Sequence, residues 1–167
     1  IIKNILRIVN RHEGDSIPVS AFTGIEDGRF PSGTAAYEKR GIAINVPEWQ
    51  KDNCIQCNQC SYVCPHAVIR PFLLDEQEAK KAPAGFEMID AKGKGLEGLK
   101  YRMQISYWDC TGCGNCADIC PAKEKALVMK SFSSQESQSG LWDFAISVKP
   151  KDNIVSTDTI KGSQFKQ

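Results

Sequence analysis

The sequence contains no long apolar segment. Within its 167 residues, no stretch reaches the roughly 20 apolar residues that a membrane-spanning helix requires. The opening residues, "IIKNILRIVN", have neither the apolar block nor the small-residue cleavage site of a secretory leader. We therefore expect no membrane association, and we expect a cytoplasmic location.

The chain also lacks an excess of either charge. It has 21 Lys and Arg residues against 20 Asp and Glu, a net charge of +1, so nothing indicates a nucleic-acid partner. Its apolar and charged fractions, 41% and 25%, are typical of a folded globular chain. Because it starts at Ile1 and ends in the polar "STDTIKGSQFKQ", we expect an internal piece of a larger protein.

Cysteine is abundant by contrast, and it is arranged as a repeat. The eight cysteines lie in "CIQCNQCSYVCP" at 54–65 and "CTGCGNCADICP" at 110–121, with every Cys and the Pro displaced by 56 residues. Both segments read C-x2-C-x2-C-x3-C-P. Without a leader or a short chain, a disulfide framework is disfavoured. The repeat therefore indicates metal ligands.

The spacing suits a compact inorganic cluster. Three thiolates at every third residue can surround a cube of iron and sulfide, each on a different iron, which leaves one iron without a ligand. The fourth cysteine comes one residue later, and the following Pro disfavours a helical conformation at that cysteine. We therefore expect the fourth thiolate to point away from its own loop.

This pattern resembles the bacterial ferredoxins with two [4Fe-4S] clusters, in which the fourth cysteine ligates the other cluster. The resemblance implies two crossed ligand sets and no catalytic residue in this chain. The first cluster would be held by Cys54, Cys57, Cys60 and Cys120, and the second by Cys110, Cys113, Cys116 and Cys64.

Other readings of these motifs are weaker. Zinc accepts four thiolates, but its motifs usually supply them as two separated pairs, and a thioredoxin-like pair would leave two cysteines of each motif unused. "GKGLEG" at 93–98 matches the dinucleotide fingerprint but precedes a strand-like segment rather than a helix, so we interpret it as a loop. His66 follows a complete set of thiolates, which favours a packing role near the cluster.

The resemblance also implies the fold class, an α+β ferredoxin-like βαββαβ dicluster domain. Strand patterns lie at 67–74, 101–107 and 126–130. We expect the dicluster domain over 51–130, with an insert at about 75–100. An irregular segment would precede it at 1–50, and 131–167 would form a C-terminal linker.

The N-terminal segment predicts a helix with one apolar face that ends near Gly14. That face would consist of Ile1, Ile2, Ile5, Leu6, Ile8 and Val9.

Nearly the whole sequence resembles pyruvate:ferredoxin (flavodoxin) oxidoreductase. The matching text includes "PVSAF", "DGRFPSGTAAYEKRGIA", "VPEW", the first cysteine motif and "IKGSQFKQ". The segment 1–50 would thus hold the end of a preceding domain and an EKR-type linker, and 131–167 would lead to a thiamine-diphosphate-binding domain.

The resemblance implies that the parent is a cytoplasmic homodimer, which converts pyruvate and coenzyme A to acetyl-CoA and carbon dioxide. Its electrons would go to ferredoxin or flavodoxin. Thiamine diphosphate, Mg²⁺ and a further [4Fe-4S] cluster would belong to the rest of the parent, because the Gly-Asp-Gly and Asn-Asn signature of thiamine enzymes is absent here. The alternative is a stand-alone ferredoxin-type carrier, or an iron-sulfur subunit of another complex.

Overall fold

The computed structural model describes residues 1–166. The chain divides into two compact units, with the division between Arg40 and Gly41. Strand β1, Asn45–Trp49, belongs to the second unit, and the domain boundaries that we placed at 50 and 130 remain predictions. Among the described residues, no helix combines the length and the apolar character needed to cross a membrane.

The first unit contains only short helical segments. A π-helical turn, Ile2–Leu6, runs into helix α1, Arg7–Val9. Three 3-10 turns follow, at Gly14–Ser16, Val19–Phe22 and Thr34–Tyr37.

The predicted N-terminal helix is wrong in its end. The helix ends at Val9, because His12 adopts a left-handed backbone (φ 61°) and so reverses the chain two residues before Gly14. Of the six apolar side chains assigned to one face, only Ile5 is buried within the described structure.

The second unit contains two small antiparallel sheets. Strand β1 pairs with β5, Leu127–Ser131. The other sheet has the strand order β2-β4-β3, and its strands are Ile69–Leu74, Lys100–Ile105 and Ile89–Asp90 in that order. The strands expected at 67–74, 101–107 and 126–130 are thus confirmed. Small sheets mixed with helices agree with the predicted α+β class.

Short helices connect and cover these strands. Helix α2, Gln59–Tyr62, follows the first cysteine loop, and α4, Asn115–Asp118, follows the second. Four more helices are α3 at Glu76–Lys80, α5 at Phe132–Gln135, α6 at Leu141–Ser147 and α7 at Ile160–Ser163. Single 3-10 turns lie at Lys51–Asn53, Tyr107–Asp109 and Glu136–Gln138.

Helix α3 lies in the region that we predicted as an insert. Asp75 Oδ1 accepts hydrogen bonds from the backbone N–H groups of Gln77 and Glu78 at 2.9 and 2.8 Å, and Glu78 Oε2 accepts one from the N–H of Asp75 at 2.9 Å. This reciprocal cap fixes where the helix begins. Glu78 also forms a largely buried ion pair with Lys151 at 2.8 Å, which joins α3 to the C-terminal part of the chain.

Strand β4 is buried on both faces. The predicted apolar alternation is confirmed at Tyr101, Met103 and Ile105, but Arg102 and Gln104 between them are also buried, at 4% and 0% exposure. Helix α6 packs against β4. Helix α6, in the C-terminal part of the chain, therefore covers part of β4. The sequence pattern of a stand-alone ferredoxin does not predict this cover.

Residues 93–98 form a turn-rich loop between β3 and β4. Gly93, Gly95 and Gly98 all have positive φ angles, and no helix opens at this segment. The interpretation of "GKGLEG" as a loop is therefore confirmed.

Candidate metal centres

The first cysteine loop encloses one side of a cavity with an empty volume of about 330 Å³. The loop runs from a 3-10 turn into α2, which carries Cys60. Four thiols line the cavity: Cys54, Cys57, Cys60 and Cys120. Trp49, Met103 and Leu127 supply apolar parts of the remaining wall.

A second cavity, with an empty volume of about 370 Å³, lies beside the second loop. Its wall contains the thiols of Cys64, Cys110, Cys113 and Cys116. His66 also lines this cavity and is exposed, and its packing role beside the site remains a prediction.

Each cavity thus receives three thiols from one loop and the fourth from the other. Cys64 follows α2 yet lines the second cavity, and Cys120 follows α4 yet lines the first. This is the grouping in the predicted ligand sets, although which atoms these thiolates bind remains a prediction. Four thiolates around a cavity are a donor set that fits an iron-sulfur cluster.

All eight cysteines are free thiols. Among residues 1–166, no three Cys, His, Asp or Glu side chains lie close enough together to hold a single metal ion.

Burial shifts the acid-base behaviour of several thiols. It raises the pKa of Cys116 to about 12 and raises that of Cys110. The pKa of Cys60 is raised far above its ordinary range, first by burial and then by the neighbouring Cys54 and Cys57. Because thiolates are the ligand form, loading of these sites must displace protons and is therefore favoured by higher pH.

Backbone N–H groups also reach the sulfur atoms. The N–H of Gly112 points to Cys110 Sγ at 3.4 Å, and the N–H of Ala126 points to Cys120 Sγ at 3.4 Å. Hydrogen bonds to ligand sulfurs raise the reduction potential of a cluster by stabilising its more negative reduced state.

The two loops share a backbone conformation but not a sequence. Gln56 and Asn58 have φ angles of 59° and 61°, and Gly112 and Gly114, which occupy the same positions in the repeat, have φ angles of 72° and 83°. Glycine adopts this conformation without penalty and Asn tolerates it, whereas Gln is disfavoured there.

Sequence reasoning missed the side chains that support the first loop. Gln56 and Asn58 are each only 1% exposed, and Tyr101 Oη donates to Asn58 Oδ1 at 2.8 Å. Aligning the two motifs could have revealed them, because the first has Gln and Asn where the second has Gly.

Comparison with known proteins identifies two families in the chain. Residues 53–124 match a family described as a 4Fe-4S dicluster domain, and residues 1–43 match the EKR family, described as a domain of unknown function. These two matches cover the cysteine repeat and the N-terminal segment separately.

Several relatives resemble nearly the whole chain. The pyruvate-flavodoxin oxidoreductase of Enterobacter agglomerans is 59% identical over 99% of this chain, and the pyruvate:ferredoxin oxidoreductase of Moorella thermoacetica is 52% identical over 99%. The mitochondrial pyruvate dehydrogenase [NADP(+)] of Euglena gracilis is 44% identical over 99%. The chain spans 14% of the length of the first two relatives and 9% of the third. The resemblance predicted from the motifs is confirmed.

Proposed function

We infer that this chain belongs with the pyruvate-flavodoxin and pyruvate:ferredoxin oxidoreductases as one of their segments, and we propose that it carries electrons through two [4Fe-4S] clusters. The observation that carries the proposal is the pair of cavities, each with four thiols in a three-and-one arrangement from the two loops. The 4Fe-4S dicluster match over residues 53–124 supports the same assignment.

The proposed ligand sets are the crossed ones. The first cluster takes its ligands from the first cavity and the second from the second cavity, as the lining thiols suggest. We propose that β1–α2–β2 and β4–α4–β5 are the two halves of a ferredoxin-like βαββαβ domain, with α3 and β3 as the insertion.

Each bound [4Fe-4S] cluster supplies one-electron chemistry, taking up and releasing an electron without a covalent step. The chain's own residues hold and tune the site. Trp49, Met103 and Leu127 keep water from the first cavity. The N–H groups of Gly112 and Ala126 donate to one ligand sulfur of each set.

Helix α2 packs against α4 between the two cysteine loops. Cys60 on α2 lines the first cavity and Cys116 on α4 lines the second. These thiols are close enough to act on each other electrostatically. We propose that electrons cross between the clusters at this pair.

In the larger enzyme, this electron path would connect pyruvate oxidation to an external acceptor. We propose the oxidation of pyruvate with coenzyme A on thiamine diphosphate and Mg²⁺, a further [4Fe-4S] cluster, and a cytoplasmic homodimer. The acceptor would be ferredoxin or flavodoxin, as the names of two relatives indicate for those proteins.

The first prediction concerns the metal content. Protein reconstituted anaerobically should hold about eight irons and eight acid-labile sulfides per chain, because each of two cubanes contributes four of both. Iron and sulfide assays with the broad brown absorbance would check this. Stoichiometric zinc without labile sulfide, in protein purified anaerobically from iron-replete cells, would refute the proposed function.

The second prediction concerns electron transfer. Once reduced, the cluster-loaded 167-residue chain should pass electrons to ferredoxin or flavodoxin, whereas chelated protein should pass none. The chain alone should not convert pyruvate, because it carries no thiamine signature. Stopped-flow absorbance would follow the transfer. Acetyl-CoA formation from pyruvate and coenzyme A by this chain alone would contradict the prediction.

A further inference from the structure

The first loop carries backbone strain that the second loop avoids. Gln56 and Asn58 take a left-handed conformation that Asn tolerates but that disfavours Gln, and the repeat places glycine at both equivalent positions of the second loop. Non-glycine residues persist in such a conformation when surrounding contacts hold them there. The contacts of these two side chains therefore show which parts of the structure hold the first loop in this conformation.

Gln56 joins the first loop to the segment after β3. Its Nε2 donates to the carbonyl of Asp90 at 2.7 Å, and its Oε1 accepts from the N–H of Lys92 at 2.8 Å. Both polar atoms of the amide are thus used, and the side chain is 1% exposed. The backbone at Lys92 is consequently fixed to the side chain of Gln56, the residue that precedes Cys57.

Asn58 joins the other side of Cys57 to helix α7. Its Nδ2 donates to the carbonyl of Lys161 at 2.8 Å, while its Oδ1 accepts from Tyr101. Ser61 strengthens the contact, because its hydroxyl donates to Gln164 Oε1 at 3.0 Å. Helix α7 therefore rests on the first cluster loop and on α2.

These contacts fix the ammonium group of Lys161. Its Nζ donates to the carbonyl of Lys92, whose N–H is held by Gln56. Burial lowers the pKa of the Lys161 ammonium group, while the thiols of Cys57 and then Cys54, both in the first cavity, act in the opposite direction and favour its charged form. Among residues 1–166, no carboxylate lies within ion-pair distance of this ammonium group.

We propose that Lys161 tunes the first cluster, and that Gln56 and Asn58 are positioning residues that hold its charge there. The inference rests on the proposed function, since it requires a cluster in the first cavity. Reduction adds a negative charge to a cluster, and a fixed positive charge nearby stabilises the reduced state and raises its potential. The second loop has no such clamp, because Gly112 and Gly114 have no side chains to build it.

The test is a redox titration of the cluster-loaded protein, followed by electron paramagnetic resonance. Lys161→Met should lower the equilibrium constant for reduction of the first cluster about tenfold, which for one electron corresponds to about 59 mV. The second cluster should be unchanged. Lys161→Arg should restore the potential, and Lys80→Met, which removes an exposed lysine paired with Glu76, should shift neither cluster.

Two further variants separate a charge effect from a structural one. Asn58→Gly introduces the residue that the second loop has at this position, so the left-handed backbone is kept. The variant loses the hydrogen bond from Asn58 to the carbonyl of Lys161. The reduction potential of its first cluster should therefore fall, as in Lys161→Met. In Cys57→Ala protein, in which the first cluster is disrupted, adding Lys161→Met should leave the surviving cluster unshifted.

Iron and sulfide counts on each variant distinguish the two proposals. Wild-type protein without two cubanes would overturn the proposed function and the inference together. Two intact cubanes with unchanged potentials in Lys161→Met protein would overturn the inference alone. An equal shift of both clusters would also overturn it, because the charge would then not be local to the first.

Discussion

Cys54→Ala combined with Cys120→Ala should leave one intact [4Fe-4S] cluster, although the two residues lie 66 positions apart in the sequence. By contrast, Cys110→Ala combined with Cys120→Ala should damage both clusters, although those two cysteines share one motif. The reason is that Cys54 and Cys120 line the same cavity, whereas Cys110 lines the other. Two losses at one site are not additive, and losses at two sites are.

Single variants provide the reference cluster contents with which the double variants are compared. Cys120→Ala alone should convert the first cluster to a three-iron centre or remove it, and the cluster bound by the 110–116 loop should survive. Cys64→Ala should give the reverse outcome. Iron counts with pulsed electron paramagnetic resonance of the reduced proteins would measure both.

The opposite pattern would refute the crossed assignment. If Cys110→Ala with Cys120→Ala spares one cubane while Cys54→Ala with Cys120→Ala damages two, each motif binds its own cluster. A crossed arrangement also ties the two halves of the domain together, so loss of metal should destabilise the fold as a whole.

The resemblance to the dicluster ferredoxins predicted the cysteine grouping, and apolar patterns predicted three strands. The 56-residue repeat identified equivalent positions, and the extra residue before Cys64 and Cys120 indicated that these thiols leave their own loops. Strands β2, β4 and β5 followed from short apolar runs next to the motifs. The strands are local features, so a short apolar pattern is enough to predict them.

The support of the first loop could not be predicted in the same way. The Asn58–Lys161 hydrogen bond joins residues 103 positions apart, and no periodicity encodes such a pair. The burial of Arg102 is another example, because an alternating strand pattern places this residue on a solvated face. In the structure its Nε donates to Gln104 Oε1 at 2.6 Å and its guanidinium lies 4.3 Å from the Phe86 ring.

The N-terminal helix also shows what apolar periodicity does not predict. Six apolar residues at helical spacing predicted one apolar face, and of these six the structure buries only Ile5. A helical pattern specifies which side chains share a face, but it does not specify what covers that face. The end of the helix depended on the left-handed backbone at His12, which is not a residue that a helix-stop pattern selects.

Alanine substitutions at Gly112 and Gly114 of the second loop should have different effects on cluster binding. Gly112→Ala should abolish the second cluster, whereas Gly114→Ala should retain it. A Cβ on Gly112 would lie 2.7 Å from the carbonyl oxygen of Asn45 in β1 and 3.2 Å from Ala43 Cβ, but a Cβ on Gly114 would have no protein atom within 4 Å. Both residues have positive φ angles, so backbone strain of about 1 kcal/mol is common to the two variants.

The difference between these variants therefore isolates the close approach of the second loop to β1. Because the obstacle at Gly112 is backbone within a paired strand, it cannot rotate away, and the loop must move instead. Movement would displace the thiols of Cys110 and Cys113 and break the Gly112 N–H contact to Cys110 Sγ. Iron counts near four per chain for Gly112→Ala and near eight for Gly114→Ala are expected from one and two cubanes. Equal iron contents in the two variants would show that contact with β1 does not hold the second loop, and would leave its cysteine spacing alone to account for cluster binding.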